Sequence, residues 1–398
     1  AFTNTSTIST GSIASYNWSF GDGATSTTQN PSHVYEAGTY AVKLVITSDN
    51  GCKDSTTQTI TIYPVPTGVA FNINGASQCL SGNSYTFTTS ASVPNGNVSY
   101  AWNFGDGQIS TTQNPTHTYA SAGTYQIKLV VTSNNGCKDS VTNTVTVLPQ
   151  PVASFTTNNI QQCYSNNVFN FTNTSTISGG SIVQYNWSFG DGTTSVQQNP
   201  SHTYAASGTY QVKLVTTSDN GCKDSITQSV TIYPRPTGVA ININPAAQCL
   251  SGNNFSFSTN ATVSSGTLAY VWNFGDGGTS TLQNPNHTYA TAGSYPVKLV
   301  VTSNNGCKDS TTQTITVYPS PTGVSFNIND ASQCLSGNSF SFTGNASVSG
   351  GSISSYSWNF GDGGTSTAEN PSYSYSQDTG YFDVSLIVNF RGCKDTLT

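Results

Sequence analysis

Residues 100–140 read YAWNFGDGQISTTQNPTHTYASAGTYQIKLVVTSNNGCKDS. Within this stretch, Tyr125, Ile127, Leu129 and Val131 alternate with Gln126, Lys128, Val130 and Thr132. A period of two describes a strand with one buried and one solvated face. Tyr100, Trp102 and Phe104 alternate in the same way, as do Val69, Phe71 and Ile73 upstream. Asn135-Gly136 is a hairpin signal just before Cys137. No helical periodicity of useful length is present. Short strands separated by frequent, evenly spaced turn signals predict a β-sandwich.

The same stretch recurs along the chain. The five tryptophans, Trp18, Trp102, Trp187, Trp272 and Trp358, lie 84, 85, 85 and 86 residues apart. Each sits in a phrase such as YNWSFGDG or YVWNFGDG, followed by QNPSH or a variant, a VKLV-type strand and GCKD. A fixed period of this length marks a tandem array, with each tryptophan expected at the centre of one core. The expected units are 1–65, 66–150, 151–235, 236–320 and 321–398. Units one and three share FTNTSTIS, and units two and four share QCLSGN. Duplication of a two-unit block explains that longer period.

Pro64/Pro66, Pro149/Pro151, Pro234/Pro236 and Pro319/Pro321 mark the boundaries. Two prolines remove two N–H donors and fix φ, so sheet pairing should stop there and the joints should be stiff. The predicted architecture is all-β, five tandem β-sandwiches in a rod. Phe2 aligns with Phe171 and Thr398 with Thr227, so the array reads as a window onto a longer one. Completion of the terminal strands by neighbouring copies is the alternative.

Composition narrows function. Charged residues are 7% of the 398 and the net charge is −6. Disorder usually requires high net charge, and nucleic-acid binding requires clustered Lys and Arg; neither is expected with eleven cations. No run of about 18 apolar residues exists to form a membrane-spanning helix.

The WxFGDG…NPxHxY…GxYxVxL signature, carried by YNWSFGDG (16–23) and NPSHVYEAGTYAVKLVIT (30–47) and their copies, resembles the PKD (polycystic kidney disease) domain family across essentially the whole chain. The resemblance implies an Ig-like fold, an extracellular or cell-surface location, and a spacer, adhesive or carbohydrate-associated role. The Thr/Asn-rich style is similar to PKD arrays of Bacteroidota-type surface proteins, including large adhesins. Tyr373 departs from the pattern by replacing the usual His, and Pro296 by standing near a strand start. Asp-Ser/Thr followed by an apolar residue or Thr resembles the O-glycosylation sequon of such bacteria, which would place glycans on Ser55, Ser140, Ser225, Ser310 and Thr396; a plain alternating strand is the other reading.

Candidate chemistry is repeated rather than unique. His33, His117, His202 and His287 accompany serines and an Asp in every FGDG, so a Ser/His/Asp triad can be drawn. A catalytic base would not be exchanged for Tyr373, whereas an aromatic packing under a loop could be. Asp22, Asp106, Asp191, Asp276 and Asp362 are expected to cap their own turns. Calcium is the lesser alternative, because it takes six to eight oxygens and each loop offers one carboxylate. No other cofactor is expected. Lys43, Lys128, Lys213 and Lys298 face outward, where edge protection and solubility are expected; ion pairing between arrays is the alternative.

The nine cysteines occupy two recurring places and never form CxxC, which argues against zinc and for disulfides. Pairing within modules would give Cys79–Cys137, Cys163–Cys222, Cys249–Cys307 and Cys334–Cys393. Pairing between neighbours would give Cys79–Cys222, Cys163–Cys307 and Cys249–Cys393. Ig topology favours the second, because the two positions lie at opposite poles of one sandwich and a disulfide needs Cα atoms within about 7 Å. The leading functional expectation is a non-catalytic stalk or filament segment, with neighbouring copies or a longer array as partners, and surface polysaccharide as a further one. The alternative is a set of carbohydrate-associated accessory modules of a secreted hydrolase.

Overall fold

The second module shows why the alternating stretches become a sandwich. Its strands are β1 (Asn72–Ile73), β2 (Ser77–Cys79), β3 (Tyr85–Thr88), β4 (Val98–Asn103), β5 (Ile109–Ser110), β6 (Thr116–His117), β7 (Gly123–Ser133) and β8 (Lys138–Leu148). They form a five-stranded sheet in the order β2-β8-β7-β4-β5 and a three-stranded sheet in the order β6-β3-β1. All neighbours are antiparallel except β2, which runs parallel to β8 and brings Cys79 beside Leu148. The inward side chains Ile127, Leu129 and Val131 of β7 meet Tyr85 and Phe87 of β3, with Trp102 between the sheets. Val69, Phe71 and Ile73 border this core, although regular pairing covers only β1.

The structure is a computed structural model that describes residues 1–376 and 380–398. Five such cores follow one another, centred on Trp18, Trp102, Trp187, Trp272 and Trp358. Four of the five indoles donate to a backbone carbonyl ten residues on, at 2.9 Å: Thr112, Gln197, Leu282 and Ala368. In the first module residues 1–4 take the same place as 170–173 of the third: the Phe2 amide donates to the Pro31 carbonyl as that of Phe171 does to Pro200, and Phe2 packs on Trp18 and Phe20. There the Trp18 indole nitrogen and the Tyr35 hydroxyl are buried without partners.

Two expectations need correction. Lys128 and its counterparts do not protect an edge: β7 is a central strand, with Lys128 opposite Thr142 on one side and Asn103 on the other. They crown the solvent face of the larger sheet instead. The proline joints also do not stop all pairing. The large sheet of module two ends at Leu148, but Pro151 already pairs with Ile177 in module three. Pro can do this because it needs only its carbonyl at a sheet margin.

Candidate functional site

Two constellations repeat through the array: a clasp over the FGDG loop, and the joint between modules. The clasp is built by the turn after β4 and by β6 of the opposite sheet. Glycines at positive φ flank each aspartate, as Gly105 and Gly107 flank Asp106. A Cβ at Gly105 would lie 2.7 Å from the Gln126 carbonyl, so only glycine allows the loop to lie against β7. One carboxylate oxygen of each aspartate accepts the amide N–H two residues on, at 2.9–3.0 Å, in all five modules. This geometry is an Asx turn.

The second oxygen does something the sequence did not disclose. Asp22, Asp106, Asp191 and Asp276 each reach Nε2 of the histidine eleven residues on, His33, His117, His202 and His287, at 2.6–2.8 Å. Each imidazole stacks on the FGDG phenylalanine at 4.1–4.3 Å between centroids. In the last module Tyr373 stacks on Phe360 at 4.0 Å and its hydroxyl donates to Asp362 at 2.8 Å. Tyrosine therefore reproduces both halves of the contact.

The electrostatics follow from these partners. The His33 hydrogen bond, then the Ala24 amide, holds the Asp22 carboxyl below the usual range. Burial would raise Asp106, Asp191 and Asp276, but their amide and histidine partners together outweigh it and lower all three. At Asp362 the Gly364 amide leads, and the Tyr373 hydroxyl adds to it. Burial pushes the Tyr375 hydroxyl up to about 12. The histidine nitrogen that a triad would aim at a serine is turned to the carboxylate. Among the described residues no group of three or more His, Cys, Asp or Glu side chains converges on a metal position.

The tyrosine below each clasp is pinned by a buried asparagine that sequence reading passed over. Asn83, Asn167, Asn253 and Asn338 accept the amide of Tyr119, Tyr204, Tyr289 and Tyr375 at 2.7–2.8 Å and donate back to its carbonyl. The only signal was a polar residue at a fixed step after QC.

The joint is assembled from both poles. The β2 segment is fixed by the glutamine before its cysteine. Gln78, Gln162, Gln248 and Gln333 each accept the amide of the residue six positions on, at 2.7–2.9 Å, and donate to its carbonyl. At the other pole the β7–β8 hairpin presents its cysteine, whose amide donates to Ser48, Ser133, Ser218 or Ser303 Oγ at 3.1–3.2 Å. Across the joints the structure bonds Cys79 to Cys222, Cys163 to Cys307 and Cys249 to Cys393, with Cα atoms 5.4–5.6 Å apart. Cys52, Cys137 and Cys334 are free, and among the described residues no pair forms within a module. At the last joint Arg391 stands where the other modules carry Asn before Gly-Cys, and its guanidinium lies 5.3 Å over the Tyr318 ring of module four. Ser55, Ser140, Ser225, Ser310 and Thr396 are exposed on the strand that leaves each hairpin.

The family model described as PKD domain matches residues 1–63, 69–149, 148–233, 238–318 and 325–397. The pre-pro-metalloprotease PrtV of Vibrio cholerae serotype O1 is 32% identical over 138 residues, 33% of this chain and 14% of that protein. A microbial collagenase of Vibrio alginolyticus is 46% identical over 68 residues, 17% of this chain and 8% of that protein. The crystal structure of the PKD1 domain from the Vibrio cholerae metalloprotease PrtV is 35% identical, covering 21% of this chain and 96% of that one, with a TM-score of 0.19. The chain thus spans a small part of the curated relatives' length and corresponds to their non-catalytic PKD modules. On the family match, which runs through all five repeats, the chain belongs to the PKD domain family.

Proposed function

We propose that this chain is a mechanical spacer of a secreted or cell-surface protein, in which consecutive PKD modules are held in fixed sequence by covalent joints. The single observation that carries this reading is the disulfide between successive modules at three joints. Such bonds persist in oxidising compartments, which supports an extracellular location. Each joint adds a second covalent tie to the proline linker, and each loop of about 144 residues it closes is worth about 5 kcal/mol in the chain-entropy model. The solvent face of the large sheet is a ladder of hydroxyls, Thr39–Thr61, Thr124–Thr146 and Thr209–Thr231 among them. It suits lateral packing against neighbouring copies or surface polysaccharide, in the manner of the Bacteroidota-type adhesin arrays. Exposure of Ser55, Ser140, Ser225, Ser310 and Thr396 supports O-glycans at these sites as part of this reading; an intact mass equal to the bare polypeptide in native material would exclude them.

Small-angle scattering before and after thiol reduction tests the spacer. With strands rising about 3.3 Å per residue, five modules in line give a maximum dimension on the order of 150 Å when oxidised. A broader, concentration-independent distribution is expected after reduction, and unchanged profiles would sink the reading.

A second reading is favoured by the relatives, which include a metalloprotease and a collagenase matched over 14% and 8% of their length. In it, the array accompanies the catalytic unit of a secreted hydrolase and touches an insoluble substrate. Sedimentation of the array with collagen fibres, chitin or cellulose separates the two readings, because a spacer alone stays in the supernatant.

A further inference from the structure

Taken together, the covalent connections give the array a property that no single joint has. Each disulfide skips 143 or 144 residues, and the skipped stretches overlap, so every residue from 163 to 222 and from 249 to 307 lies inside two of them. Between disulfides the chain supplies short sections, such as 222–249 and 307–334. Each section traverses two modules. The first climbs the long strand Lys223–Tyr233 of module three, crosses Pro234–Pro236, and reaches the far pole of module four, where Cys249 lies beside Tyr318, the last residue of its long strand. Two interleaved cables result. One runs from Cys52 through Cys79–Cys222 to Cys249–Cys393; the other runs from Cys137 through Cys163–Cys307 to Cys334. All nine cysteines lie on one or the other.

We infer that these interleaved staples make the array nearly inextensible under tension, so that modules two to five cannot be pulled open while the disulfides stand. The inference rests on the spacer reading and specifies what kind of spacer it is. Two folded modules, each with an 11-residue strand rising about 3.3 Å per residue, are roughly 70 Å long. The section 222–249, fully extended, can reach at most about 95 Å. The slack is a small fraction of the several hundred ångström that two unstapled modules of this size release when they unfold. Load entering at Cys222 passes along the strand Lys223–Tyr233, the proline linker and the opening segment of module four to Cys249, so the remaining strands of both modules lie off the path. Modules in an unstapled array unfold one by one and lengthen it; here extension requires chemistry at sulfur. Reduction proceeds by thiolate attack on one sulfur, which forms a mixed disulfide and releases the other cysteine as thiolate; a second thiol then frees the first.

The test is single-molecule stretching of the full chain, held at Ala1 and Thr398. In the oxidised protein the shortest covalent path runs from Ala1 to Cys79, crosses to Cys222, follows the chain to Cys249, crosses to Cys393 and ends at Thr398. Its contour length is about 390 Å, with one unfolding event from module one; after a reducing thiol is added it becomes about 1,400 Å, with one event per module. In Cys222→Ser the shortest route runs from Ala1 to Cys163, back from Cys307 to Cys249, and out from Cys393 to Thr398, so the oxidised length doubles. Unfolding of modules two to five in oxidised protein whose three disulfides are confirmed by peptide mapping overturns the inference and leaves the spacer intact. Absence of those disulfides from the map overturns the spacer reading itself.

Discussion

Each FGDG aspartate holds its loop with one oxygen and an aromatic from the other sheet with the second, so one side chain ties a turn to the core. Truncating it should therefore cost more than a turn cap alone. Asp276→Ala leaves the Gly278 amide and the His287 ring without partners, a loss of about 1–3 kcal/mol for module four. Hydrogen exchange read by mass spectrometry should rise in the peptide containing Gly278 and stay unchanged in the corresponding peptide around Gln108. The same clasp predicts an acid response with a defined sign. These carboxyls titrate below their ordinary value of 3.8 in the folded chain. The stability they contribute is complete above that value and is lost as the pH falls below it, through the lower folded value. Denaturant midpoints should accordingly stay level from neutral pH to about 4 and then drop. In Asp191→Asn the drop should be shallower, and an identical acid limb in the two proteins would show that the clasp contributes nothing to it.

At the scale of elements, β7 explains why some departures from the repeat are harmless. Pro296 stands within the long strand Gly293–Ser303, yet its nitrogen and carbonyl oxygen both lie about 3.1 Å from where a Cβ on Gly275 would sit. They point to the FGDG loop and not to the neighbouring ladder, so no strand hydrogen bond is lost. Gln126 occupies the equivalent place against Gly105, and Gln126→Pro should change the unfolding midpoint little. Two residues on, Lys128 is flanked by Asn103 and Thr142 in a central strand, so Lys128→Pro removes a ladder bond and should cost about 1–3 kcal/mol. Equal effects of the two prolines would contradict the register. This contrast also marks what the sequence could show. The alternation of Tyr125, Ile127, Leu129 and Val131 revealed the buried face of β7, and the tryptophan spacing revealed the modules, because both patterns are local. The neighbours of a strand are not local, which is why Lys128 reads as an edge residue in sequence and is central in space. The Asp–His contact joins a turn to the opposite sheet across eleven residues, and nothing in either phrase announces it. Gln78 and Asn83 look like ordinary polar turn residues; their roles depend on backbone groups that only the folded loop brings within reach.

Across the whole molecule, the two cables account for an odd number of cysteines, since the three free thiols lie where the cables run out. Cys137 is seated already: its sulfur lies 3.7 Å from the Tyr63 carbonyl, as the bonded Cys307 sulfur lies 3.9 Å from that of Tyr233. Cys52 and Cys334 are exposed; the Cys52 amide is held by Ser48 as in the bonded hairpins, and Cys334 keeps the Gln333 clamp of its counterparts without their parallel strand pairing. They are the two complementary halves of a joint. In a buffer of oxidised and reduced glutathione, mixing Cys52→Ser with Cys334→Ser should yield dimers linked from Cys334 of one chain to Cys52 of the other. Oxidised glutathione takes up the two electrons, and two protons leave with the reduced thiol. Peptide mapping reads the result, and Cys137→Ser in both partners should leave the yield unchanged. If Cys52–Cys52 and Cys334–Cys334 links form as readily in the unmutated chain, the ends meet by collision alone, and the joint geometry does not select its partner.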